Sequence, residues 1–160
     1  MLERQSLQDL LDRIGAATPS PGSGAAAAAG LAIGIACLRK AIAVSLKSQK
    51  NLADLHAAQQ RLVALADQAL AVATADERGF PQLLAADKKG QHAERSAAAE
   101  DLVALGKRFQ ALCRAVEMEA NDLDDLVDPI MANDLLAARL LSRAAATIAK
   151  ANAAENATLI

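Results

Sequence analysis

Residues 19–46 read PSPGSGAAAAAGLAIGIACLRKAIAVSL, and this stretch decides the fold. Two prolines and two glycines break the backbone, and five consecutive alanines then commit it to helix, since alanine loses least on entering one. From about Gly24 to Leu46 the pattern is apolar nearly all round, which predicts the central helix of a bundle rather than an amphipathic surface helix. The apolar run Ala25 to Leu38 stops at Arg39-Lys40, short of the roughly 20 residues of a membrane span. It is preceded by Glu3, Asp9 and Asp12, unlike a short basic leader.

The rest of the chain follows the same chemistry. Of 160 residues, 53% are apolar and 22% charged, with no Trp or Tyr and two Phe, so alanine and leucine must supply the core. Strand formers are scarce, and an all-α multihelical bundle of about five helices in one domain, residues 1–160, is expected. Leu7, Leu10, Leu11 and Ile14 mark a first amphipathic helix. A third helical pattern runs from Leu52 to about Ala86 and is interrupted by Gly79 and Pro81, and ADKKGQHAER from Ala86 reads as a linker. A fourth helix carries the seam Leu102, Leu105, Phe109, Leu112, Val116, Glu119, Leu123 and Leu126 and is ended by Pro129; the last spans about Asn133 to Asn156.

A net charge of -2 and the lack of aromatics among basic residues argue against nucleic acid as a partner, and no membrane partner is expected. Cys37 and Cys113 sit on apolar helical patterns without CxxC spacing and are expected to be buried and reduced, as in a cytoplasmic protein. His56 and His92 have no second ligand at metal spacing, so both are read as surface residues and no metal is expected. No P-loop, GxSxG or dinucleotide fingerprint is present.

Several polar residues admit a functional and a plain reading. Gly22 and Gly24 leave backbone N–H groups open at a helix start that Ser23 can cap, which is either an anion-binding loop or a turn with an N-cap. Asp76 is in register with Ala69, Val72, Phe80 and Leu83. On a continuous helix its carboxylate points at the core, where a raised pKa suits acid–base work; on a helix that ends at Gly79 it is a solvated last-turn residue. Glu119 interrupts its seam at a flank and reads as structural. Asp134, Ala138, Leu141, Ala145, Ile148, Asn152 and Asn156 share one face of the last helix. Asp134 also suits a first turn, whereas neither asparagine is needed for helix formation.

Three patches resemble the cyclodeaminase/cyclohydrolase family, which includes the cyclodeaminase domain of formiminotransferase-cyclodeaminase and the stand-alone methenyltetrahydrofolate cyclohydrolases. PSPGSGAAAAAGLAIG, residues 19–34, is similar to the family's Pro-Thr-Pro-Gly-Gly-Gly motif and its Ala/Gly-rich helix, with Ser23 at the central glycine. DERGF, residues 76–80, matches an aspartate four residues ahead of a phenylalanine. NDLLAARLLSRAAATIAKANAAEN, residues 133–156, matches a helix with Asp134, Asn152 and Asn156 at the family's spacing.

The resemblance, spanning about Leu7 to Asn156, implies an all-α homodimer that takes a tetrahydrofolate derivative as substrate. Such a protein hydrolyses the methenyl bridge or expels ammonia from a formimino group, an activity on C–N bonds. It implies Asp76 as the catalytic acid or base, with Asp134 as second candidate. Pro21, Gly22, Ser23 and Gly24 become a binding loop, Asn152 and Asn156 anchors for the pterin edge, and Lys50 a partner for the substrate's glutamate carboxylate. The alternative expectation is a catalytically degenerate relative serving as a helical binding or interaction module.

Overall fold

The computed structural model describes residues 6–48 and 51–160. Its elements are α1 (Leu7–Ile14), α2 (Ser23–Ser45) with a 3-10 turn at Leu46–Ser48, α3 (Leu52–Lys88), α4 (His92–Asp122), a 3-10 turn at Pro129–Met131 and α5 (Ala132–Ala157). No strand occurs among the described residues. The chain is all-α, as its composition requires.

Helices α2 to α5 close a ring, each packed on its neighbours in the order α2, α3, α4, α5 and back to α2. Short connections make successive helices antiparallel, so the arrangement is a four-helix bundle. The fifth helix, α1, lies outside it. Ser6 and Asp9 form a reciprocal capping box at its start, and it buries no residue fully, although Leu10 packs against the core.

Helix α2 has a mean hydropathy of 1.7 in its most apolar window, and by length and composition it could cross a membrane. The bundle accounts for this apolarity. Leu31, Ile35, Leu38, Ala41 and Ile42 are wholly buried in the core shared with α3, α4 and α5. Small residues set the spacing of the helices. A Cβ at Gly34 would lie 3.3 Å from Ala138 Cα and Leu141 Cβ, and one at Gly106 would lie 2.8 Å from Ala153 Cβ, so α5 approaches both α2 and α4 closely.

Three boundaries differ from the sequence expectations. Helix α3 runs unbroken through Gly79 and Pro81 to Lys88. Leu102 fills the space beside Gly79, whose Cβ would sit 2.9 Å from Leu102 Cδ2. Pro81 lacks the N–H that would bond the Glu77 carbonyl one turn earlier, and Ser20 Oγ donates to that carbonyl instead at 3.1 Å. The supposed linker after Ala86 therefore shrinks to Lys89–Gln91, turning at Gly90 with φ 66°.

Helix α4 stops at Asp122, well ahead of Pro129. Arg139 of α5 covers its end, donating to the Ala120 carbonyl and to Asn121 Oδ1, each at 2.9 Å, and pairing with Asp124. Asp128 caps the 3-10 turn that leads into α5, and its own N–H donates to Ser45 Oγ at 2.7 Å.

Glu119 has a structural partner, as its flank position suggests. Arg61 donates to both of its carboxylate oxygens, at 2.5 and 3.0 Å. Cys113 is buried, and burial pushes its thiol up to about 12. Cys37, expected to be buried, is only half so. His56 and His92 are exposed.

Candidate functional site

The loop before α2, the middle of α3 and the last turns of α5 meet around a cleft of about 140 Å³. Pro19, Ser20, Gly22, Ser23 and Gly24 form one wall, Asp76 and Phe80 a second, and Asn152, Glu155 and Asn156 the third. Behind it a recess of about 20 Å³ runs between Asp76, the two asparagines and the apolar residues Val72, Leu102 and Phe109.

Asp76 is placed by the start of α2. The N-cap residue Gly22 has no side chain to satisfy the first N–H groups of that helix. The Asp76 carboxylate, coming from α3, takes the place of a capping side chain and accepts from the Ala25 N–H. Gly24 makes room for it, since a Cβ there would land on the carboxylate. Burial pushes the Asp76 carboxyl above its ordinary value, and the Ala25 N–H opposes this more weakly. The continuous helix thus decides between the two readings of Asp76. It faces inward and is not a solvated last-turn residue.

Across the cleft, Asn152 Nδ2 donates to Ser23 Oγ at 3.1 Å, and Ser23 Oγ lies 3.2 Å from Asn152 Oδ1. This pair ties the loop to α5. A second tie runs through Glu77, whose side chain pairs with Arg13 of α1 while its carbonyl accepts from Ser20. Both the pocket loop and α1 are therefore fastened to the residue next to Asp76.

A family model described as formiminotransferase-cyclodeaminase matches residues 6–160. The chain belongs to that family. Among solved structures it is similar to the formiminotetrahydrofolate cyclodeaminase of Thermotoga maritima, with a TM-score of 0.93 and 20% sequence identity. The match covers 100% of this chain and 82% of that one, and at this identity it establishes the shared fold. No curated protein matches the sequence significantly.

In this member of the formiminotransferase-cyclodeaminase family, Gly22, Ser23, Gly24, Asp76, Asn152 and Asn156 come together on one cleft. Pro21 is buried behind the loop and does not line it. Asp134, the second catalytic candidate, is elsewhere in the chain. It lies about 27 Å along α5 from Asn152 at 1.5 Å rise per residue, and its carboxylate pairs with Lys40 Nζ at 2.9 and 3.1 Å. Periodicity put both on one face of α5 and carried no information about distance from the loop. Lys50 lies outside the described residues.

Pro19, Ser20, Phe80 and Glu155 also line the cleft and were not among the candidate site residues. Glu155 follows Asn152 by three residues, so helical spacing already placed it beside that asparagine. Among the described residues no group of three or more His, Cys, Asp or Glu side chains can hold a metal ion. A larger groove of about 330 Å³ between α3 and α4, lined by Arg78, Asp101 and Arg108, contains none of the candidate residues.

Proposed function

We propose that the chain binds a tetrahydrofolate derivative in the cleft between the 19–24 loop, α3 and α5, and acts there as a methenyltetrahydrofolate cyclohydrolase or formiminotetrahydrofolate cyclodeaminase. The observation that carries this reading is the meeting of Asp76 with Asn152 and Asn156 at the glycine-lined start of α2. The asparagines offer donors and acceptors to a pterin edge, and Phe80 offers it an apolar wall. The Thermotoga maritima protein that shares the fold is itself a formiminotetrahydrofolate cyclodeaminase, which supports the same reaction class.

Hydrolysis of the methenyl bridge forms a C–O bond from water to the bridge carbon, breaks one of its C–N bonds and releases a proton. Asp76 is the group suited to take the proton from the adding water and return one to the departing nitrogen. In the cyclodeaminase direction the formimino group is carried by the ring nitrogen, and the amine that joins the pterin to the aminobenzoyl group attacks the formimino carbon. One C–N bond forms, the formimino C–N bond breaks, and Asp76 is suited to take the proton of the attacking amine and give one to the nitrogen that leaves as ammonia. Its raised pKa serves both transfers, because an acid–base group works best when its pKa is near the working pH. A homodimer is part of the proposal. Ile33, Leu136 and Leu140 are each about half exposed on α2 and α5, and a second copy would cover such apolar side chains.

Titration of reduced folates against the wild type and Asn152→Ala tests the pocket. The substitution is expected to weaken binding roughly three- to tenfold, the range of one or two lost hydrogen bonds. Unchanged affinity would place the site elsewhere. Absence of folate binding even at millimolar concentration would favour a degenerate helical interaction module.

A further inference from the structure

The folate reading leaves Glu155 without a task, and local stability does not explain it. It stands in the last turn of α5, where the negative end of the helix dipole disfavours a carboxylate. Among the described residues no cation pairs with it. It lines the same cleft as Asp76, and among the described residues the lining contains two carboxylates and neither lysine nor arginine. Of the described cations, Arg13 pairs with Glu77 and Arg78 lines the separate α3–α4 groove. The positive end of α2 is met by Asp76. At the end of α5 the dipole and Glu155 are both negative, and among the described residues no cation answers them. Phe80 adds an aromatic wall, whose face attracts cations.

Resting on the folate reading, we propose that Glu155 is a specificity-determining residue that makes this cleft prefer the cationic, bridged methenyl form of the substrate over reduced folates whose ring system is neutral. The methenyl bridge delocalises a positive charge over two nitrogens and the carbon between them. A carboxylate at the mouth attracts that charge and gains nothing from a neutral formyl group of similar size.

The test compares binding of 5,10-methenyltetrahydrofolate and 5-formyltetrahydrofolate, read by stopped-flow within the time before the bridge hydrolyses. Wild type, Glu155→Gln and, as a control of equal charge change outside the cleft, Glu100→Gln are measured. Glu155 is exposed, so its replacement is expected to leave folding intact, which circular dichroism checks. Glu155→Gln should weaken methenyl binding by about two- to fivefold, the range of a partly solvated charge pair, while 5-formyl binding and the Glu100→Gln protein stay unchanged. Equal effects on both ligands, or none on either, would overturn the role of Glu155 and leave the folate pocket standing. If the wild type binds neither ligand, the folate reading itself fails, and this inference falls with it.

Discussion

At Asp76 burial and helix capping act in opposite directions, and burial is the larger. The consequence for stability has a definite sign. A carboxyl whose folded-state pKa is raised contributes stability below the ordinary aspartate value, and loses it as pH rises through the raised value. At neutral pH the charged form therefore costs stability relative to the unfolded chain. Asp76→Asn, which keeps an oxygen to accept from the Ala25 N–H, is expected to melt at or above the wild-type temperature at pH 7, with the difference shrinking as pH falls into the carboxylate range. The same substitution should lower methenyltetrahydrofolate hydrolysis by about a hundred- to ten-thousandfold, measured above the spontaneous rate. In the wild type, the acid limb of the kcat/KM profile should lie above that of an ordinary aspartate. Gly24→Ala makes a complementary test, because its methyl group would displace the carboxylate without removing it. Activity should fall while the helical signal persists.

At the level of elements, Pro81 shows how a defect in one helix fastens another segment. The ring removes one backbone donor from α3, the Glu77 carbonyl is left free, and Ser20 uses it to hold the loop that walls the cleft. Pro81→Ala restores the missing donor and makes Ser20 compete with it. Thermal melting is expected at or above the wild-type temperature, since proline inside a helix costs up to about 3 kcal/mol. Folate affinity should weaken several-fold through a looser loop. A variant that binds as tightly as wild type would show that the Asn152–Ser23 bond alone positions the loop.

Across the whole molecule, the packing distance of α5 decides whether its last turns reach the loop. Gly34 lets α2 approach Ala138 and Leu141, and Gly106 lets α4 approach Ala149 and Ala153. Gly34→Leu forces the α2–α5 pair apart and is expected to cost about 1–3 kcal/mol in chemical denaturation, the usual range for overpacking a close contact. Folate binding should weaken with it, because Asn152 and Asn156 move with α5. For the proposed dimer, Leu140→Lys places a charge on a half-exposed apolar position and should yield monomer in sedimentation at concentrations where the wild type is paired.

The all-α class was legible because alanine and leucine leave a chain of this length little else to build from, and α2 was legible as central because it is apolar on every side. Helical spacing likewise placed Asn152 and Asn156 on one face and put Asp76 in line with Val72 and Phe80. The sequence did not reveal that α3 passes through Gly79 and Pro81, since the features that permit it come from Leu102 and Ser20 on other segments. Nor did it separate Asp76 from Asp134 as a neighbour of the loop. A helical repeat specifies direction around one axis; where the ends of different helices meet depends on how closely the bundle packs. That packing brought Asp76 to the open start of α2 and left Asp134 paired with Lys40 at the other end of α5.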